Sequence, residues 1–189
     1  MSIWKFWGLG ETGQGAETEK KLGAAETETV RKIVQALEQL EPSRARFIAA
    51  LAYLLGRVAH AALHISEQET STMERIIRER AHLPEEQAIL TVHMAKTQNL
   101  LFGATENFLV TREFAKIASR EEKIEILHDL YAVCSADRAI SVVEDNEIRN
   151  ISRELRLDHP DFIAVRLDYR DHLSVLKDLP GPEPRPEEE

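Results

Sequence analysis

The densest run of side chains able to do chemistry is acidic: Asp137, Glu144, Asp145 and Glu147 fall within eleven positions. Carboxylates at this density suit a hard cation such as calcium or magnesium, which takes oxygen ligands. Asp137 is the least expected of them. It stands near the predicted C-terminal end of a helix, where a negative charge opposes the macrodipole and costs a few tenths to about 1 kcal/mol. Two readings stand for it, a cation ligand or an Asx-type turn residue that accepts main-chain N–H groups. An EF-hand is not one of them. Counted from Asp137, the third position is Ala139, the sixth is Val142 in place of Gly, and the twelfth is Ile148 in place of Glu.

Part of this acidic run is a copy. Val58–Glu79 lines up with Val133–Glu154 at an offset of 75 residues, with 8 identities in 22 positions. Ser66 with Glu69 and Ser141 with Glu144 both spell Ser-x-x-Glu, the capping-box pattern. There the serine hydroxyl accepts from an orphan helix N–H, and the glutamate reaches back to the N–H of the serine. The repeated Ser and Glu therefore have a purely structural use beside the chemical one. Two copies without a third imply a pseudo-symmetric globule, since a solenoid needs about three units or more.

Other chemistry is thinly represented. His60 and His64 are four apart, the spacing of zinc-binding histidines on one helical face, and Glu69 follows. The glutamate of His-Glu-x-x-His is missing between them, so histidines near a helix C-terminus are the simpler reading. No phosphate-cradling glycine loop, Gly-x-Ser-x-Gly elbow or Cys/His nucleophile pair occurs. A metal-dependent hydrolase would need a general base beside a metal cluster, and none is indicated. Arg112 and Glu113 read as exposed surface pairs, with a docking patch as the alternative, and Arg120–Lys123 reads as a solvated face.

The elements that must position these residues are helical. With 189 residues, 43% hydrophobic and 30% charged, the chain is expected to form one globular domain with a real core. The net charge of −9 argues against nucleic acid and suits cations or basic partners. A single cysteine, Cys134, aligned with Ala59, reads as a small core residue in a reducing cytoplasm. The most apolar run, Phe47 to Leu63, is interrupted by Arg57 and His60 and is too short to span a membrane. Trp4, Phe6 and Trp7 crowd the start of the chain. They either fold back onto the domain or touch a partner or membrane surface weakly.

Residues 1–26 are expected to be a flexible segment, 27–177 the helical domain, and 178–189 a disordered Pro/Glu tail. Within the domain the 3.6-residue period marks about eight helices. The stripe Val30, Ile33, Val34, Leu37 and Leu40 comes first. Then follow Arg44–Leu63, apolar nearly all round, and Ser66–Ala81. Pro84-Glu85-Glu86 opens a helix to about Leu100, and a break at Phe102-Gly103 separates it from Glu106–Ala118. Glu122–Ala136, Ser141–Leu155 and a last helix from Asp158 to about Leu176 complete an all-α bundle of two related halves.

At these residues the chain resembles a known family. Ala136-Asp137-x-x-Ile140-Ser141-x-x-Glu144, followed by Ile148-Arg149-x-Ile151, resembles the second half of the TerB family of tellurite-resistance-type proteins. Phe47–Ala59 and Ile65-Ser66-x-x-Glu69 resemble the first half, and Val110-Thr-Arg-Glu-Phe114 resembles the link between halves in one bacterial branch. The resemblance spans about Thr27 to Leu176. It implies a compact helical bundle and a divalent metal held near the duplicated turn by Asp137 and Glu144, with Glu147 and Glu69 as further ligands. The first half departs from the family pattern, because Ala62 stands where an aspartate is expected.

These readings combine into a non-enzymatic cytoplasmic module of a stress system that binds a divalent cation at the second repeated turn, a protein partner, or both. The alternative is an interaction scaffold without metal, in which both Ser-x-x-Glu pairs act only as caps.

Overall fold

The computed structural model describes residues 40–62 and 64–174. The Val30 stripe, apart from Leu40, lies outside them, as do Trp4, Phe6, Trp7 and the proline-rich tail. Six α-helices follow in order: α1 Pro42–His60, α2 Glu67–Ala81, α3 Glu85–Ile117, α4 Arg120–Cys134, α5 Val142–Glu154 and α6 His159–Asp168. A 3-10 turn, Arg170–His172, ends the series. Seven helical elements among the described residues make the expected all-α bundle, and no strand is present there beyond one isolated bridge. None of these helices is long and apolar enough to cross a membrane.

α1 is the central helix, as its all-round apolar sequence requires. From Ile48 to Leu55 every side chain is buried, as are Val58 and Ala59. Against it lies α3, 33 residues long. Gly56 makes the close approach possible. A Cβ at that position would stand 2.8 Å from Asn99 Nδ2. The buried Asn99 amide instead donates to the Tyr53 carbonyl at 3.0 Å and to the Ala95 carbonyl at 2.9 Å, joining the two helices. Further along, the Phe47 and Phe114 rings meet at 5.1 Å.

Two expectations are corrected here. The break at Phe102-Gly103 does not exist, because α3 runs through it. One glycine costs a helix interior only about 1 kcal/mol, too little to interrupt a helix anchored on α1 both before it, at Asn99, and after it, at Phe114. The last helix stops at Asp168 instead of about Leu176. At Tyr169 the backbone leaves the helical region (φ −108°, ψ 12°), and Ile140 and Leu173 then form a parallel bridge.

Candidate functional site

The two copies of the repeat have the same local shape. Ser66 (φ −71°, ψ 164°) and Ser141 (φ −70°, ψ 160°) are the N-caps of α2 and α5, and both capping boxes are complete. Ser66 Oγ accepts from the Glu69 N–H at 3.1 Å, and Glu69 Oε2 accepts from the Ser66 N–H at 2.7 Å. In the second copy the corresponding distances are 3.2 Å and 2.7 Å. The Ser66 hydroxyl also donates to Glu69 Oε2 at 2.8 Å. A third box, which the same Ser-x-x-Glu spelling could have revealed, forms at Ser119 and Glu122 at the start of α4. Capping therefore accounts for the spelling at these three helix starts, and burial is what marks the repeated pair. Glu69 is 2% exposed and Glu144 5%.

Around the second turn the acidic residues divide by partner. Asp145 accepts from the Tyr131 hydroxyl at 2.8 Å and takes a bidentate fork from Arg166, with Nη2 to Oδ2 at 2.8 Å. Glu147 is engaged by Arg57, whose Nε lies 2.6 Å from Glu147 Oε1. Asp137 accepts the Ala139 N–H at 3.3 Å, an Asx-type contact across Arg138, which holds a left-handed φ of 83°. Left-handed backbone is costly for a side-chain-bearing residue, and the Asp137 carboxylate helps to hold it. The turn reading of Asp137 is thus realised in its geometry.

Glu144 nonetheless feels its surroundings. Burial pushes the Glu144 carboxyl up from the ordinary carboxylate range. The Ser141 N–H and hydroxyl oppose that shift, and the negative charges of Glu69 and Asp137 add to it. The same carboxylates surround Cys134. Burial first, then Glu144, Glu69, Asp137 and Asp145, keep its thiol protonated, so Cys134 is the inert core residue its alignment with Ala59 suggests. Glu69, Glu144 and Asp137 therefore all contribute to the electrostatic surroundings of one buried sulfur. Their oxygens have the chemistry of a hard-cation site. Among the described residues, however, no three His, Cys, Asp or Glu side chains already stand in ligand geometry.

The histidine alternative loses its premise. α1 ends at His60, so the exposed His64 lies beyond a turn and shares no helical face with it. Arg112 and Glu113 are exposed as expected. Arg112 lies over the Phe108 ring at 5.7 Å, and Glu113 pairs with Lys116. Between α2 and α4 lies an open groove of about 500 Å³ lined by Arg75, Arg80, His82, His128 and Asp129 among others. Its arginines are already paired, Arg75 with Glu79 and Arg80 with Glu125 and Asp129.

Arg57 is a further functional signal in the sequence. A guanidinium buried in the last turn of an apolar helix must find carboxylates or forfeit its hydration. Arg57 is 7% exposed. Its Nη1 and Nη2 fork onto Glu154 at 2.7 Å and 3.1 Å, and Nη1 also donates to Thr111 Oγ1 at 2.8 Å. One side chain so ties α1 and α3 to α5. Burial alone would lower its pKa, but Glu154 and Glu147 outweigh that and raise it.

No curated protein and no solved structure matches this chain. A family model described as Tellurite resistance protein TerB matches residues 47–167, which take in most of α1, all of α2 to α5, both repeated turns and nearly all of α6. Its all-α architecture, its duplicated capped turns and this match agree: the chain belongs to the TerB family.

Proposed function

We propose that this chain is a non-enzymatic module of a tellurite-resistance-type stress system, working in the cytoplasm with a protein partner, and that its second repeated turn takes up a divalent cation. One observation carries the cation reading. The buried Glu144 carboxyl is pushed up, first by that burial and then by the charges of Glu69 and Asp137, and a divalent ion at that turn would favour its ionised form. Asp137, Glu144 and Glu69 would hold the ion, with water completing a shell of oxygen ligands, as calcium accepts. Glu147 is the weakest candidate, because Arg57 already engages it. Titration calorimetry with calcium, magnesium, manganese and zinc tests the reading. Heat with at least one ion, weakened tenfold or more by Asp137→Ala, is expected. No heat from any of the four would refute it.

A scaffold without metal is favoured by a different observation, that every one of these carboxylates has a structural bond. It predicts that Glu144→Ala lowers stability but leaves capture of the partner intact and insensitive to chelators.

A further inference from the structure

The second repeated turn carries a fastening that the first lacks among the described residues. After α6 and the 3-10 turn, the chain runs beside the residues that precede α5. Ile140 donates its N–H to the His172 carbonyl at 2.8 Å, and the Ile140 carbonyl accepts from the Ser174 N–H at 3.0 Å. These bonds make the lone bridge between Ile140 and Leu173, both of whose side chains are 1% exposed. At the matching position Ile65 is only half-buried, and no bridge forms there. The fastening thus grips the residue directly before the Ser141 cap, two residues after the left-handed Arg138. Among the described residues it consists of two main-chain bonds and one apolar side chain, beside the exposed Arg170 and Asp171. Attachments this small open at far lower free energy than a helical core.

We propose that Arg170–Ser174 form a releasable strap that sets the shape of the second turn, so that its displacement loosens residues 137–144 and leaves residues 62–69 unchanged. Hydrogen exchange followed by mass spectrometry on the full chain tests this. Ser174→Pro deletes the N–H that bonds Ile140. Leu173 already has the extended backbone (φ −72°, ψ 117°) that a residue before proline prefers, so little else is disturbed. Ser174→Ala keeps the N–H and serves as the control. Peptides covering 137–144 are expected to exchange on the order of tenfold faster in Ser174→Pro. They should be unchanged in Ser174→Ala, and the peptides of α1 and the first turn should hold steady in both. Unchanged exchange at 137–144 in Ser174→Pro would overturn the strap, as would equal acceleration throughout the chain. Calcium titration of the unaltered chain is read separately. Its failure removes the cation reading and leaves the exchange data to decide the strap.

Discussion

Position by position, the two halves show how a duplicated unit becomes asymmetric. The capped turns at Ser66 and Ser141 share backbone angles, burial and bonding. Beyond the caps they part. Asp137 matches Ala62, Asp145 matches Thr70, and Glu147 matches Thr72. Each added carboxylate in the second half has found a partner that its first-half counterpart lacks. Asp145 takes the Arg166 fork and Glu147 takes Arg57, whereas Thr70 bonds its own Ser66 carbonyl and the Lys96 ammonium. The clamp itself runs one way only. The mirror position of Arg57 is Ala132, and Glu79, the counterpart of Glu154, pairs with Arg75 on its own helix. The first half contributes the buried centre and the cation that crosses over. Most of the added anions belong to the second.

The largest effect should come from breaking the clamp. Arg57→Ala leaves Glu147 and Glu154 facing each other with little water, and loss of one partner of a buried pair costs about 3–5 kcal/mol. Both carboxylates keep roughly a fifth of their side-chain surface in solvent, which points to the lower end of that range. Urea denaturation measures it. Next are the caps. Glu69→Ala and Glu144→Ala should each cost about 1 kcal/mol. The two losses should be similar, because each carboxylate meets both the N–H and the hydroxyl of its own serine. A loss confined to one copy would show that the two boxes are not equivalent.

A smaller effect separates charge from capping. Glu144→Gln keeps an acceptor for the Ser141 N–H and removes the charge. The folded pKa of Glu144 is raised, so its protonated form favours the fold. That contribution is whole below the ordinary carboxylate pKa and is lost as pH rises through the raised value. The glutamine variant should therefore match the natural chain in acid and gain on it across that window. A constant difference in melting temperature between the two proteins from pH 4 upward would deny the raised pKa of Glu144. Least disruptive of all is Ala62→Asp, which restores the missing aspartate at an exposed site. Under the cation reading it adds a second, weaker binding event to the calorimetric trace.

Much of this was legible in the sequence because it depended on local rules. Helical period, the Ser-x-x-Glu caps and proline at helix starts act within one or two turns of chain, and the structure follows them. What escaped was set by packing between distant segments. Gly103 looked like a break, yet it lies four residues after Asn99 on the spacing that continues from the buried Ala88, Val92 and Ala95 to Val110 and Phe114. Its position on that stripe was the better guide than its residue type. Arg57 was noticed only as an interruption in an apolar run, since its acceptors lie 90 and 97 residues away. The bond from Asp137 to Ala139 was foreseen as one of two uses. Whether those oxygens also bind an ion depends on free energies that spacing alone does not encode.

The missing methyl at Gly56 has a consequence for how such modules diversify. With Asn99 hydrogen-bonded to the Tyr53 carbonyl, the central pair of helices is locked in register as well as in spacing, so a bulkier residue there would act as a wedge. Widening at this seam would be felt at the very next residue, Arg57, on which Glu147 and Glu154 converge. A relative that trades this glycine for alanine should therefore be sought together with a shortened or relocated amide at position 99.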